Sequence, residues 1–284
     1  MTSMSIMATK ICVGRPHWPV GILRKEMSRA LILNPLRDSI SPWNFTNSHS
    51  ERKFCSSQSH LQGSSTEKFI KNNTEVTRNH LTPEIQLHLI TKSCLLWNAK
   101  EEECPVPDPF WAFYWPGGQA LTRFILDNPN LVQGKEVLDV GSGCGASSIA
   151  AAMNGAKRVI ANDICPVAGA AIQLNAELNN VHLEINQENL IGSTNHTWDV
   201  ILFGDMFYDQ DFTDHISRWI KLLSTKKRTI LIGDPGRVYL LNHRIKKQLQ
   251  CVFQLELPQI SREENNGLTH GYVWKHLDQV QSST

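Results

Sequence analysis

From residue 134 onward, apolar positions fall alternately into short β-rich runs and longer stretches with helical spacing, the pattern of an α/β protein with a parallel sheet. "KEVLDVG" reads as a strand, and the Ala-rich "ASSIAAAMNGA" as a helix stopped at Gly155. "KRVIAND" is the next strand; "CPVAGAAIQLNAELNN" is a helix with Pro166 in its first turn, where a missing N–H costs nothing. A weaker strand follows at "HLEIN". "WDVILFGD" and "RTILIGD" are near-continuous apolar runs, as expected of central strands covered on both faces. Between them, "DFTDHISRWIKLL" puts Phe212, Ile216, Trp219, Ile220 and Leu223 on one helical face, with Asp211 and Asp214 in the first turn. "CVFQLELP" and "GYVWKHL" predict two strands paired as an antiparallel edge, and upstream "PGGQALTRFILDNP" predicts a helix with Leu121, Phe124 and Ile125 inward. No internal repeat is visible.

Composition adds a boundary to this picture. A chain of 284 residues that is 41% apolar can bury a sizeable core, so one domain with a leader is expected. No apolar run approaches the roughly 18 to 20 residues that span a bilayer. Residues 1 to 80 carry 11 Lys/Arg against 5 Asp/Glu, whereas the remainder carries 17 against 22. The folded part is therefore acidic, which argues against a nucleic-acid groove and suits a basic protein partner. The first fifty residues hold six Lys/Arg and only Glu26 and Asp38 as acids, a transit-peptide composition. Within them "ILRKEMSRALI" can form a basic amphipathic helix of the kind read in mitochondrial import; the bland alternative is a disordered basic tail. The expected organisation is a leader over 1–50, a polar Ser-rich linker over 51–66 and the catalytic domain over 67–284. The seven cysteines are odd in number and contain no CxxC pair, so a reducing compartment is favoured and no metal site is expected.

The candidate chemistry begins at "VLDVGSGCGA". Gly141, Gly143 and Gly145 sit where a strand hands over to a helix, so a ligand can approach the backbone without meeting a Cβ. Asp163 ends the next strand, 22 residues after Gly141, the place for a carboxylate that accepts from two ribose hydroxyls. Both features would also suit a dinucleotide. Asp139 breaks the tie: a pyrophosphate would meet its charge, whereas the ammonium of S-adenosylmethionine would be attracted to it. Asp205 and Tyr208 in "FGDMFYD" form a D-x-x-Y motif at the carboxyl edge of the sheet, where open α/β sheets bind ligands. A lysine acceptor is about one part in a thousand neutral near pH 7.4. Asp205 is expected to attract and orient it as proton acceptor or as anchor, and Tyr208 with Phe207 to wall its alkyl stem. Asp209, Asp211 and Asp214 read better as helix-capping and solvated groups. Trp115, Gly117 and Gly118 are expected to cover the cofactor, because two successive glycines are hard to explain by packing alone. Arg237 in "GDPGR" is expected to position the partner or to pair with a carboxylate.

"PFWAFYWPGGQAL", "VLDVGSGCGA", "ANDICPVAG", "GDMFYD" and "LIGDPGR", in this order, resemble the mitochondrial electron transfer flavoprotein β-subunit lysine methyltransferases, within the seven-stranded protein-lysine methyltransferases that carry a D-x-x-Y motif. The resemblance covers residues 67 to 277. It implies a Rossmann-like seven-stranded sheet, mostly parallel with an antiparallel C-terminal edge and helices on both faces. It also implies a matrix enzyme that moves methyl groups from S-adenosylmethionine to lysines of the electron transfer flavoprotein β subunit and so modulates electron transfer from dehydrogenases. By position, Asp139, Gly141, Gly143 and Asp163 fall on the cofactor site, Trp115 and Gly118 on its lid, and Asp205 with Tyr208 on the lysine site. Cys165 departs from the pattern, standing where an acidic residue is expected after the ribose carboxylate. The alternatives are a methyltransferase of another protein or a small amine, and a non-catalytic partner of the flavoprotein. Asp205→Ala is expected to remove activity and leave cofactor binding largely intact.

Overall fold

The computed structural model describes residues 64–99, 106, 109–194, 197–224, 228–265 and 267–277; the expected leader and nearly all of the linker lie outside them. Helix α1 (Ser64–Asn73) begins inside the expected linker, with Thr66 and Ile70 already buried. Two three-residue strands, β1 (Glu75–Thr77) and β2 (Leu87–Leu89), pair antiparallel as a separate ribbon that the sequence pattern is too short to reveal. Helix α2 (Pro116–Asp127) then leads into the main sheet.

That sheet has seven strands: β3 (Glu136–Val140), β4 (Arg158–Asn162), β5 (Glu184–Asn186), β6 (Val200–Gly204), β7 (Thr229–Asp234), β8 (Leu249–Glu256) and β9 (His270–His276). Their spatial order is β5-β4-β3-β6-β7-β9-β8. The first five are mutually parallel; β9 runs antiparallel to both β7 and β8, so the expected antiparallel C-terminal edge is present. The connecting helices are α3 (Ala146–Met153), α4 (Pro166–Leu178) and α5 (Gln210–Leu223); the short α6 (Val238–Leu241) and α7 (Gln259–Glu264) follow.

Side-chain alternation in the strands builds two cores. Val137, Leu202, Leu231 and Val273 point to one face with Leu121 and Ile125 of α2, Ile149 of α3 and Ile172 of α4. Leu138, Ile201, Phe203, Ile230 and Ile232 point to the other, with Ile216, Trp219 and Ile220 of α5. Burial of a side chain such as Phe203 or Trp219 contributes about 1.5–3 kcal/mol. Trp219 also donates its indole N–H to the Ser193 carbonyl at 2.7 Å, so its polar edge is not stranded. Phe124, expected inward, is only partly buried, against the core formed by α2, α3 and α4. The chain leaves β3 toward β4 and β5 on one side and returns to β6 and β7 on the other. A crevice therefore opens where strand order reverses, at the carboxyl ends of β3 and β6. Among the described residues no helix is long and apolar enough to cross a membrane.

Candidate active site

One wall of the crevice is the glycine loop after β3. Gly141, Gly143 and Gly145 have φ of +63°, +57° and +81°, left-handed conformations that side chains other than glycine's adopt at a cost. A Cβ at Gly141 would also lie 2.3 Å from the Met206 sulfur, so the Met206 side chain would have to move. Asp139 lies beneath the loop, 2% exposed, and accepts from the hydroxyls of Ser142 at 2.7 Å and Ser148 at 2.8 Å. Burial pushes its carboxyl up to about 6, against the opposing pull of those donors. Asp163, immediately past β4, accepts from the backbone N–H of Gly143 and of Cys165, each at 3.0 Å. Its pKa is raised by burial, and the two N–H groups oppose the rise. Asp139 and Asp163 thus bracket the loop and fix its shape. A pyrophosphate here would meet two carboxylates, whereas a zwitterionic sulfonium nucleoside would be accommodated.

The opposite wall is the segment after β6. Asp205 has φ +56°, uncommon for a residue with a Cβ, and its N–H donates to the Gly233 carbonyl at 2.9 Å. Its carboxylate is surrounded by donors. Oδ1 accepts from Arg237 Nε at 3.0 Å and Nη2 at 2.6 Å; Oδ2 accepts from the N–H of Gly118 at 3.0 Å and from that of Gly117. Asp205 is 7% and Arg237 2% exposed, so this ion pair is dry. Arg237 pairs with a carboxylate, one of the two roles its sequence context suggests. Tyr208 is half-buried and stacks on Phe212, ring centroids 5.1 Å apart. Burial raises its hydroxyl pKa, with the charges of Asp209 and Asp163 adding to the rise and Arg237 opposing it. Tyr208 follows β6 on the same wall as Asp205. Phe207 corrects the expected aromatic wall: it is fully buried in the core beneath α5 and faces no ligand.

Asp209 caps α5 by accepting from the Phe212 N–H at 3.0 Å, Asp211 lies in its first turn, and Asp214 pairs with His243 at 2.9 Å. Asp209 is thus a helix cap and Asp211 a solvated first-turn residue, as expected, whereas Asp214 has a side-chain partner.

The roof is the start of α2. Trp115 precedes the helix, donates its indole N–H to the Phe110 carbonyl at 3.0 Å, and has the Arg237 guanidinium 5.9 Å above its ring. Trp111 and Tyr114 are core aromatics, 4% and 5% exposed. The double glycine has a packing reason that the sequence alone conceals. A Cβ on Gly117 would sit 2.5 Å from the Gly233 carbonyl oxygen and 2.6 Å from Asp205 Oδ2, so the helix must touch the sheet there. A Cβ on Gly118 would have 3.7 Å to the Tyr114 ring, ordinary contact, which leaves space rather than packing as its constraint.

Two participants escape sequence reading. Asp234 is fully buried and accepts from the N–H of Gly236 and Arg237, both at 2.7 Å, so it builds the turn that carries Arg237. Burial pushes it up to about 7; the Arg237 charge opposes that and the Asp205 charge adds to it. Met206 lies against Gly141, linking the two walls. The only sequence signal for either was proximity to a motif.

Similarity to known proteins agrees with this geometry. Residues 120–204 match the family described as Ribosomal protein L11 methyltransferase (PrmA). The chain is 50% identical over 209 residues to the electron transfer flavoprotein beta subunit lysine methyltransferase of Homo sapiens, covering 72% of this chain and 80% of that one. It is 45% identical over 237 residues to the Danio rerio protein of the same name, covering 81% and 92%. Over 230 residues it is 39% identical to the Caenorhabditis elegans homolog, covering 73% and 94%.

Proposed function

The chain belongs to the electron transfer flavoprotein beta subunit lysine methyltransferase family, and from that membership we propose that its acceptors are lysines of the electron transfer flavoprotein beta subunit. It is an S-adenosylmethionine-dependent protein-lysine methyltransferase. The observation that supports the site assignment is that the glycine loop, with Asp163 bonded to it, and the segment carrying Asp205 and Tyr208 follow the carboxyl ends of adjacent strands at the strand-order reversal, with Met206 against Gly141. The matrix is the proposed location, supported by the basic leader composition and by the flavoprotein substrate.

Bound in this crevice, S-adenosylmethionine supplies an electrophilic methyl on its sulfonium. The bare backbone of Gly141 and Gly143 would let the ligand lie against the loop, and Asp163 would accept from its ribose hydroxyls while its other lone pairs hold the loop. Asp139 would contribute negative charge toward the ligand's ammonium. Trp115 and Gly118 roof the site and exclude water from an in-line displacement that needs a neutral amine lone pair aimed at the methyl. Tyr208, held un-ionised by its surroundings, flanks the alkyl stem and can accept an N–H without taking a proton. Asp205 holds Arg237 and the start of α2 in place and does not bond the amine directly, because four donors already occupy its two oxygens. An incoming ammonium would have to displace one of them.

The test is peptide mass spectrometry of unmethylated electron transfer flavoprotein incubated with S-adenosylmethionine and the full chain, with Asp205→Ala as control. Methyl additions on beta-subunit lysines are expected with the native chain only. Because removing Asp205 leaves Arg237 buried without its partner, the control should also lose about 3–5 kcal/mol of stability and bind cofactor less well. This revises the expectation from sequence that cofactor binding would survive the substitution. Methylation confined to other proteins, with the flavoprotein untouched, would overturn the acceptor assignment.

A further inference from the structure

Arg237 has no role in the reading above beyond its contact with Asp205, yet its surroundings are costly for a residue with only a structural task. It is 2% exposed, and two of its nitrogens converge on the single oxygen Asp205 Oδ1, at 3.0 and 2.6 Å, instead of forming the parallel fork of a bidentate pair. Its Nη1 is buried with no partner among the described residues, as is Oδ2 of the adjoining Asp234. Unpaired buried donors and acceptors are few in folded proteins and call for an explanation. The backbone beneath is specified with equal care: Asp234 Oδ1 takes the N–H groups of Gly236 and Arg237, and Gly236 has φ +94°. The side chain that emerges from this turn reaches two catalytic-site elements at once, the Asp205 carboxylate after β6 and the Trp115 ring before α2. Asp205 in turn holds the first two N–H groups after Pro116, at the start of α2.

We propose that Arg237 is a positioning residue for methyl transfer: by gripping Asp205 Oδ1 and lying over Trp115, it sets the separation between the acceptor wall and the cofactor roof. The inference rests on the assignment of this crevice as the methyl-transfer site. Lysine cannot substitute for it. An ammonium is a point charge without the planar array of donors that places Nε and Nη2 on one oxygen while the guanidinium face covers an indole. With Arg237 removed, Asp205 still accepts from the Gly117 and Gly118 N–H groups, so the roof stays attached while its register against the acceptor wall is released. A misplacement of about 1 Å in such a site costs about 100-fold in rate. The loss should therefore appear in turnover and leave cofactor affinity nearly intact.

The experiment compares the native chain with Arg237→Ala and Arg237→Lys. It measures single-turnover methylation of the flavoprotein, S-adenosylmethionine affinity by titration, and rescue by added methylguanidinium. Arg237→Ala is expected to lower the rate about 100-fold and to change cofactor Kd less than about threefold, with about tenfold of the rate regained in methylguanidinium and none in methylammonium. Arg237→Lys is expected to be at least about tenfold slower with a nearly native melting temperature, and it decides the matter if the alanine protein fails to fold. Three results would overturn the proposal: a lysine variant at native rate, a loss of cofactor affinity as large as the loss of rate, or rescue by neither or both cations. Failure of the native chain to methylate the flavoprotein would instead count against the functional assignment on which the inference rests.

Discussion

Asp139 shows how one residue's environment becomes a measurable property of the whole site. Its carboxylate is buried beside the hydroxyls of Ser142 and Ser148 without a cationic side chain bonded to it, and burial lifts its pKa to about 6. A ligand bearing an ammonium above the loop favours the ionised form and draws that pKa back down. Binding therefore releases a proton, and by linkage S-adenosylmethionine affinity should weaken as pH falls through about 6, approaching tenfold per unit at the limit. Asp163, whose pKa is also raised by burial, acts in the same direction, so the Asp139 share must be isolated by substitution. Titrations from pH 5 to 8 on the native chain and on Asp139→Asn should show a shallower slope in the variant, with weaker binding at pH 8. Equal slopes would mean that the ammonium lies away from Asp139. The types and positions of Asp139, Asp163 and Asp205 were legible because each follows or ends an apolar run. Their partners were not. The donors to Asp205 come from 87 and 88 positions earlier and 32 later, and no local pattern encodes such a meeting.

At the scale of elements, the start of α2 carries two successive glycines for two different reasons. Gly117 lies where the helix touches β7, with its would-be Cβ 2.5 Å from the Gly233 oxygen, and Gly233 returns the constraint, since its own Cβ would be 2.1 Å from the Gly117 oxygen. Gly118 has room for a methyl group. Gly117→Ala should therefore push the helix off the sheet, costing about 1–3 kcal/mol in thermal or denaturant unfolding. Gly118→Ala should leave stability unchanged or slightly raised, because alanine favours helix over glycine by about 1 kcal/mol. If Gly118 lies under the cofactor, its added methyl should weaken S-adenosylmethionine binding while the melting temperature holds. A Gly118→Ala protein with native affinity would remove this residue from the roof. The helix itself was legible from Leu121 and Ile125, and strands β3, β4, β6 and β7 from their apolar runs. The β1–β2 ribbon was not, because three-residue strands have no period to read. It is held by Ile85, Leu87 and Leu89, buried in the core, and by the Gln86 and His88 N–H groups, which donate at 2.8 Å to Asn179 and Asn175 respectively.

Across the whole molecule, charge and topology act together. The parallel order β5-β4-β3-β6-β7 gathers every carboxyl-end loop of those strands on one rim, and that rim carries Asp163, Asp205, Asp209, Asp211 and Asp214, of which Asp205 is neutralised by Arg237 and Asp214 is bonded to His243. Residues 81 to 284 carry 17 Lys/Arg against 22 Asp/Glu, so the long-range field of the body has the same sign as its rim. A lysine presented on a partner's surface is a cation when it arrives, and such a field raises its encounter rate without changing the chemistry that follows. Ionic strength separates these two stages. Between about 50 mM and 500 mM salt the Debye length falls from roughly 14 Å to about 4 Å. Over that range kcat/KM for the flavoprotein should fall severalfold while kcat stays nearly constant. Asp211→Asn, at an exposed position that caps nothing by its side chain, should reduce the salt dependence and not the rate at saturation. If kcat falls with kcat/KM, salt is acting on the site itself, by loosening the Asp205 network or the docked partner, and steering by the rim is excluded. If neither changes, recognition of the partner rests on shape and apolar contact around the crevice, and the acidity of the body serves only its solubility.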